Sequence, residues 1–318
     1  MLKRSHKALN LAGYQGGASI LTVALTALAR RLNEGAVGTP HLLPDVTSCG
    51  ESAASLFRSI EAGERHIGYM ASGYLSARVP ELAVLDLPFS VQDRQAALQA
   101  LDGYAGALLR EAVARQSGFQ VLAFWDNGFR HVSNAVRPIL SPEDCRHLVI
   151  RTLDSGLYRQ ALESLGFSAV TTDVKDLVRV VQSGEVDAQE NPLTNLLTFE
   201  LWRHHPYVSL TGHFFGVLLL VCPRAWFEQL EPAQRQELRD AVADATELQR
   251  ISAARQDTAA MIRLRSLGVH IADQASLDMA GLQRATAAVR QRFLSRLPAE
   301  LVSAYLPALT GEQISLMS

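Results

Sequence analysis

The chain is short of the features that usually announce a function. Its 318 residues include three cysteines, Cys49, Cys145 and Cys222, widely spaced and without a CxxC pair. An odd number excludes a disulfide framework and leaves room for one bridge at most. Metal-ligand spacing is also missing. The adjacent His204 and His205 fall on different faces of any regular element and read as surface or structural residues. Charged residues make up 19% of the chain, the net charge is −2, and no segment carries a dense field of Lys and Arg. That excludes a nucleic-acid binder. No window of about twenty apolar residues occurs, so no membrane-spanning helix is expected.

Catalytic and nucleotide signatures are lacking too. The turn Gly13-Tyr14-Gln15-Gly16-Gly17 does not have G-x-G-x-x-G spacing, and there is neither a Walker loop nor a G-x-S-x-G elbow. Cys145 lies in Ser141-Pro142-Glu143-Asp144-Cys145, a proline-started turn expected to point its residues to solvent. Cys222 sits in an apolar strand and reads as core. Asp187 and Glu190 are three apart, so in a strand they would face opposite sides rather than pair. These absences point away from an enzyme and from any cofactor. Two competing readings remain: a cytosolic α/β enzyme acting on a small carboxylate through a cleft residue such as Cys145, and a ligand sensor.

What is present is a repeated alternation of strand and helix. Leu148-Val149-Ile150 reads as a buried strand that delivers Arg151 at its end. A helical segment, the run Ser168 to Thr171, the amphipathic stretch Val174 to Gln182 with Gly184 after it, and the extended Val186 to Pro192 come next. That is a βαβαβ pattern, the grammar of a parallel sheet covered by helices. Residues 8 to 70 repeat it: strand Ala8–Ala12, helix Ala18–Asn33, strand His41–Pro44, helix Ser52–Ala62 closed by Gly63, and strand His66–Met70. The basic start Met1 to Lys7 followed by apolar Ala18 to Ala29 superficially resembles a signal peptide, but Gly13, Gln15, Gly16 and Gly17 interrupt the run. Leu56 to Glu64 and Leu177 to Glu185 line up as amphipathic helix, glycine, glutamate.

Two similar α/β lobes are therefore expected, in keeping with the chain's length. Between them lie an apolar strand Ala83–Phe89, a helix from Asp93 to Gln116, a strand Gln120–Trp125, and a turn from Asp126 feeding an extended segment to Asn134, the first crossing. Tyr207–Gly212 and Phe214–Cys222 form the second crossing. From Pro232 to Leu267 the pattern is helical without a break, near 50 Å at about 1.5 Å per residue, enough to touch both lobes. A strand Val269–Ala272 and helices Leu277–Leu297 and Ala299–Leu309 finish the chain. The lobes are assigned as residues 1–125 with 213–250 and residues 126–212 with 251–318.

In such sheets ligands sit beyond the carboxyl ends of the strands. Arg151 and Asn191 stand at such ends, and Arg130 lies in the first crossing. A guanidinium presents a planar fork of donors that matches a carboxylate. Asn134, Asn191 and Gln189 are placed to orient an anion, and Trp125, Phe214 and Phe215 flank the crossings. Tyr14, Gln15 and Ser19, at the first loop and helix start, and Tyr69 and Ser72, at the end of the third strand, complete the candidate ligand-binding set.

The ordered set Gly128-Phe129-Arg130, Ser133-Asn134, Arg137-Pro138-Ile139, Ser141-Pro142-Glu143-Asp144, Ile150-Arg151, Leu165-Gly166 and Gly184 to Pro192 closely resembles the DctP-type substrate-binding proteins of TRAP transporters. Leu87-Pro88-Phe89 and His213 fit the same resemblance, which covers nearly the whole chain. The resemblance implies a two-lobed periplasmic-binding-protein-like fold, a long helix spanning both lobes and a ligand cleft between them. It implies that Arg151 pairs with a substrate carboxylate, assisted by Arg130 and Asn191. It further implies a periplasmic receptor serving the small and large membrane subunits of a permease. Two departures stand in the pocket wall, Cys145-Arg146-His147-Leu148 ahead of the arginine strand and Thr152-Leu153 after it, where Val-Pro is often found.

Overall fold

A computed structural model describes residues 7–306. Met1 to His6 of the basic start, and residues 307–309 of the last predicted helix, lie outside the described residues. Nine strands form one mixed sheet in the order β2-β1-β3-β8-β4-β7-β5-β6, with β9 added to β8.

At one end β1 (Ala8–Ala12) pairs in parallel with β2 (Thr39–Leu43) and β3 (Ile67–Ala71). Helices α1 (Ile20–Leu32) and α2 (Ala53–Glu61) connect them. Ser19 and Ser52 cap these helices through their hydroxyls, satisfying N–H groups that lack intrahelical partners. Gly63, with φ of 81°, takes the left-handed position just beyond α2.

Two helices, α3 (Arg94–Asp102) and α4 (Tyr104–Gln116), lead into β4 (Phe119–Asn134). The second parallel set comes next: β5 (Val149–Thr152), α5 (Gly156–Leu165), β6 (Ser168–Thr171), α6 (Val174–Gln182) and β7 (Ala188–Asn191). After α7 (Leu193–Thr198), β8 (Tyr207–Pro223) runs antiparallel to β3, and β4 runs antiparallel to both β8 and β7. The two long strands thus knit the parallel sets together. Short α8 (Arg224–Gln229) precedes the 35-residue α9 (Pro232–Ser266), and β9 (His270–Ala272), α10 (Met279–Leu294) and α11 (Ala299–Tyr305) complete the chain.

Four expectations need correction. Ala83–Phe89 is not a strand. Residues Pro80–Asp86 form a 3-10 helix whose Leu82, Ala83, Val84 and Leu85 are all buried. An apolar run enclosed on every side looks the same in sequence whether extended or helical, and Pro80 at the helix start decides it. The single helix from Asp93 to Gln116 is two, because Gly103 (φ −95°, ψ −142°) leaves helical geometry. Each crossing is one continuous strand rather than two pieces. β4 absorbs the Asp126–Gly128 turn as a bulge, with Gly128 at φ 81°. Cys145 does not face solvent but is fully buried, packed in a core with Ile139, Leu148, Ile150 and Leu162. All three cysteines are free.

Candidate functional site

The two parallel sets present their carboxyl-terminal ends toward each other, with β4 and β8 beneath. In β5, half-buried Val149 and buried Ile150 pair with Ser168 and Ala169 of β6, and this places Arg151 at the next rung. Its side chain is 2% exposed. Nε donates to the Thr172 carbonyl at 3.0 Å and Nη2 donates to the same oxygen. Among the described residues no carboxylate forms an ion pair with it. Burial pushes its guanidinium below the ordinary value, with the Arg130 charge adding in the same direction and Tyr74, Glu190 and Asp173 opposing. A buried cation without a carboxylate partner has an unmet charge.

Arg130 is in the opposite condition. It stands on β4 opposite Phe214, where residues 210 to 213 of β8 bulge against His131 alone. Its Nε and Nη2 donate in fork fashion to Glu190 of β7, with Nη2 3.0 Å from Oε1, and Nη2 also meets the Glu190 carbonyl at 2.8 Å and Asn191 Oδ1 at 3.2 Å. Burial alone would lower this guanidinium, and the Glu190 carboxylate overrides it and holds it raised. Glu190 also accepts from Thr152 Oγ1 at 2.8 Å. Asn191 is spent internally, accepting from Arg130 and Asn195 and donating to Gln189. The two nearby histidines, His131 and His213, are pushed down by burial to about 3 and are neutral.

The remaining predicted residues lie close around. Tyr14 (on the loop after β1) and Tyr69 (on β3) pack at 4.8 Å between ring centroids, and the Tyr14 N–H donates to the Tyr69 hydroxyl at 3.3 Å. Gln15 accepts from the Ser19 hydroxyl at 2.6 Å. Trp125 is fully buried against Tyr69 and donates from Nε1 to Thr246 of α9 at 3.0 Å. Phe214 packs on Tyr158 at 4.1 Å. Phe215 packs instead at a tilt against Phe129, and Asn134 closes its own turn by accepting from the backbone of Val136 and Arg137. Ser72 donates to Asp86 at 2.7 Å, and Tyr158 from α5 donates to the same oxygen at 3.2 Å. Desolvation raises Asp86 to about 7.

Sequence reasoning missed Glu190 as the partner of Arg130, and missed Tyr74, Asp86 and Tyr158 altogether. In the sequence, Glu190 draws attention only through its spacing from Asp187. The better signal is its place between Gln189 and Asn191 in a buried strand, where a carboxylate needs a cation. Tyr158 offers a signal as well, one turn into the helix that leaves the arginine strand.

Residues 18–296 match the family described as DctP, bacterial extracellular solute-binding protein, family 7. A solute-binding protein of Verminephrobacter eiseniae is 31% identical over 239 residues, covering 74% of this chain and 69% of the relative. The 2,3-diketo-L-gulonate-binding periplasmic protein YiaO of Escherichia coli is 27% identical over 230 residues, covering 72% and 69%. Among solved structures, the sugar acid binding protein DctPAm of Advenella mimigardefordensis, in complex with galactonate, superposes with a TM-score of 0.89 at 21% identity, covering 96% of this chain and 98% of that one. Similarity at that level of identity speaks for the two-lobed fold. With the match spanning most of its length, the chain belongs to the DctP family of bacterial extracellular solute-binding proteins.

Proposed function

We propose that this receptor captures a small organic acid by pairing its carboxylate with Arg151 and hands it to the small and large membrane subunits of a TRAP permease, working in the periplasm. The observation that carries the reading is the contrast between two buried arginines. Arg130 already has its carboxylate, whereas among the described residues Arg151 has none. An anionic guest would supply the missing charge in a site screened from water, where the pair is stronger than in bulk. Arg130 and Asn191 support the site by fixing its wall. Tyr14, Gln15, Tyr69 and Ser72 form the facing wall, and Trp125 and Phe214 form its aromatic floor.

The sugar-acid ligands named for YiaO and DctPAm favour the same class here. The hinge would lie in β4 and β8, with the lobes bounded as residues 1–125 with 213–250 and 126–212 with 251–318. Catalysis through Cys145 finds no support, because burial pushes its thiol up to about 12 and a thiol nucleophile requires the opposite.

A thermal-shift panel of mono- and dicarboxylates, sugar acids and aromatic acids tests the reading, since a ligand that binds only the folded state raises the melting point. At least one small acid should stabilise the wild-type protein and fail to stabilise Arg151→Ala. Equal shifts in both proteins would remove Arg151 from the role.

A further inference from the structure

Resting on the receptor reading, we infer that the site selects a monocarboxylate and rejects the dicarboxylate of the same skeleton. The geometry behind this is a count of buried charge. Among the described residues, Arg130 and Arg151 are the only lysines or arginines that are buried. Glu190 neutralises Arg130 through a forked ion pair, further fixed by the Thr152 hydroxyl. One positive charge, on Arg151, is left for a guest.

The other groups facing the site offer nothing to a second carboxylate. The Asp173 side chain is occupied with backbone N–H groups, capping α6 at Lys175 and accepting from Ala53 at 3.3 Å. Asp86 is neutral or negative, and His131 and His213 are neutral. Tyr14, Tyr69, Tyr74 and Tyr158 are uncharged phenols held neutral by burial. A second carboxylate would enter a closed site without a counter-ion, which is costly. A terminal hydroxyl in its place needs only a hydrogen-bond partner, and phenols, Gln15 and Asp86 provide such partners.

The test uses pairs of acids that differ only in whether the far end is CH2OH or carboxylate: gluconate against glucarate, and threonate against tartrate. Calorimetry on the wild-type protein should give affinity for the monoacid about tenfold or more above that of its diacid partner. The variant Glu190→Gln keeps the shape of the side chain and releases the Arg130 charge, so the ratio should fall about tenfold or invert. Should that variant not fold, the wild-type ratio decides alone. Equal or tighter binding of a diacid by the wild-type protein, with the dependence on Arg151 intact, would overturn the inference and leave the receptor reading standing. Binding of neither member of either pair, with other acids also inert, would overturn both.

Discussion

A buried carboxyl beside the site makes the protein's stability depend on pH in a definite direction. Asp86 sits between the Ser72 and Tyr158 hydroxyls with Oδ2 unpartnered, and burial raises it to about 7. The folded state therefore favours the protonated form. Its stabilising contribution is whole below the unfolded carboxyl range, near pH 4, and is lost as pH rises through about 7. His131, His205 and His213 act the other way. Burial lowers them to about 3 to 4, so stability declines as pH falls below their unfolded value near 6.5. The difference between Asp86→Asn and wild type isolates the first effect. The variant's melting temperature relative to wild type should rise from pH 5 through about 7 and level off above it. A flat difference would mean that Asp86 is not buried in its neutral form.

How much of the site could be read from the sequence depended on the kind of residue. Arg151 was legible as a strand-end residue, because a strand of Leu-Val-Ile must end somewhere, and the structure buries it near the end of β5. Tyr158 and Asp86 were not, because their meeting joins a helix and a 3-10 turn that are 72 residues apart. No local periodicity encodes that distance.

At the scale of elements, Gln249 clamps the long helix to the backbone of the crossing strand, beside the contacts made by Thr246 and Arg250. Gln249 of α9 is fully buried; its Oε1 accepts from the Asp126 N–H at 2.9 Å and its Nε2 donates to the Asp126 carbonyl at 2.7 Å. These groups sit at the β4 bulge, where the strand ladder to β8 shifts register. Gln249→Leu would strand both buried backbone groups at about 1–3 kcal/mol each, so a loss of roughly 2–6 kcal/mol in urea unfolding is expected. A loss under about 0.5 kcal/mol would show that the strand does not depend on this clamp.

The break between α3 and α4 is a second case. Gly106 lies so close to the Leu101 carbonyl oxygen that a Cβ would stand 1.8 Å from it. The sequence pattern carried helical periodicity straight through this corner, because propensity sees the individual residues and not the approach of one backbone to another. The same limit hid the 3-10 helix at Pro80–Asp86, whereas α9 was correctly expected from its uninterrupted periodicity and its proline start.

For the whole molecule, the two parallel sets are in contact across the site. The Asp173 carboxylate accepts from Ala53 at 3.3 Å, Tyr158 reaches Asp86, and Gly73 lies where an added Cβ would be 2.8 Å from Leu153 Cδ1. A bulky residue at position 73 would press on Leu153, a buried residue of the main core, and should prop the halves apart. Gly73→Val is expected to weaken ligand affinity about tenfold or more. Small-angle scattering should then show no contraction on adding acid, while wild type contracts. Normal affinity with normal contraction would contradict a closing cleft. The two-lobed plan itself was readable from the doubled βαβαβ order. The continuity of β4 and β8 through the crossings was not, because each bulge resembles a turn when read locally.

The central claim is that the Arg151 guanidinium receives the ligand's carboxylate. Calorimetry with the most stabilising acid of the panel, on wild type, Arg151→Ala and Arg151→Lys, tests it most directly. The alanine variant should lose roughly 2–5 kcal/mol of binding free energy. The lysine variant should lose less but still bind measurably more weakly, since an ammonium cannot reproduce the planar fork. Affinity for the acid unchanged in the alanine variant would contradict the account.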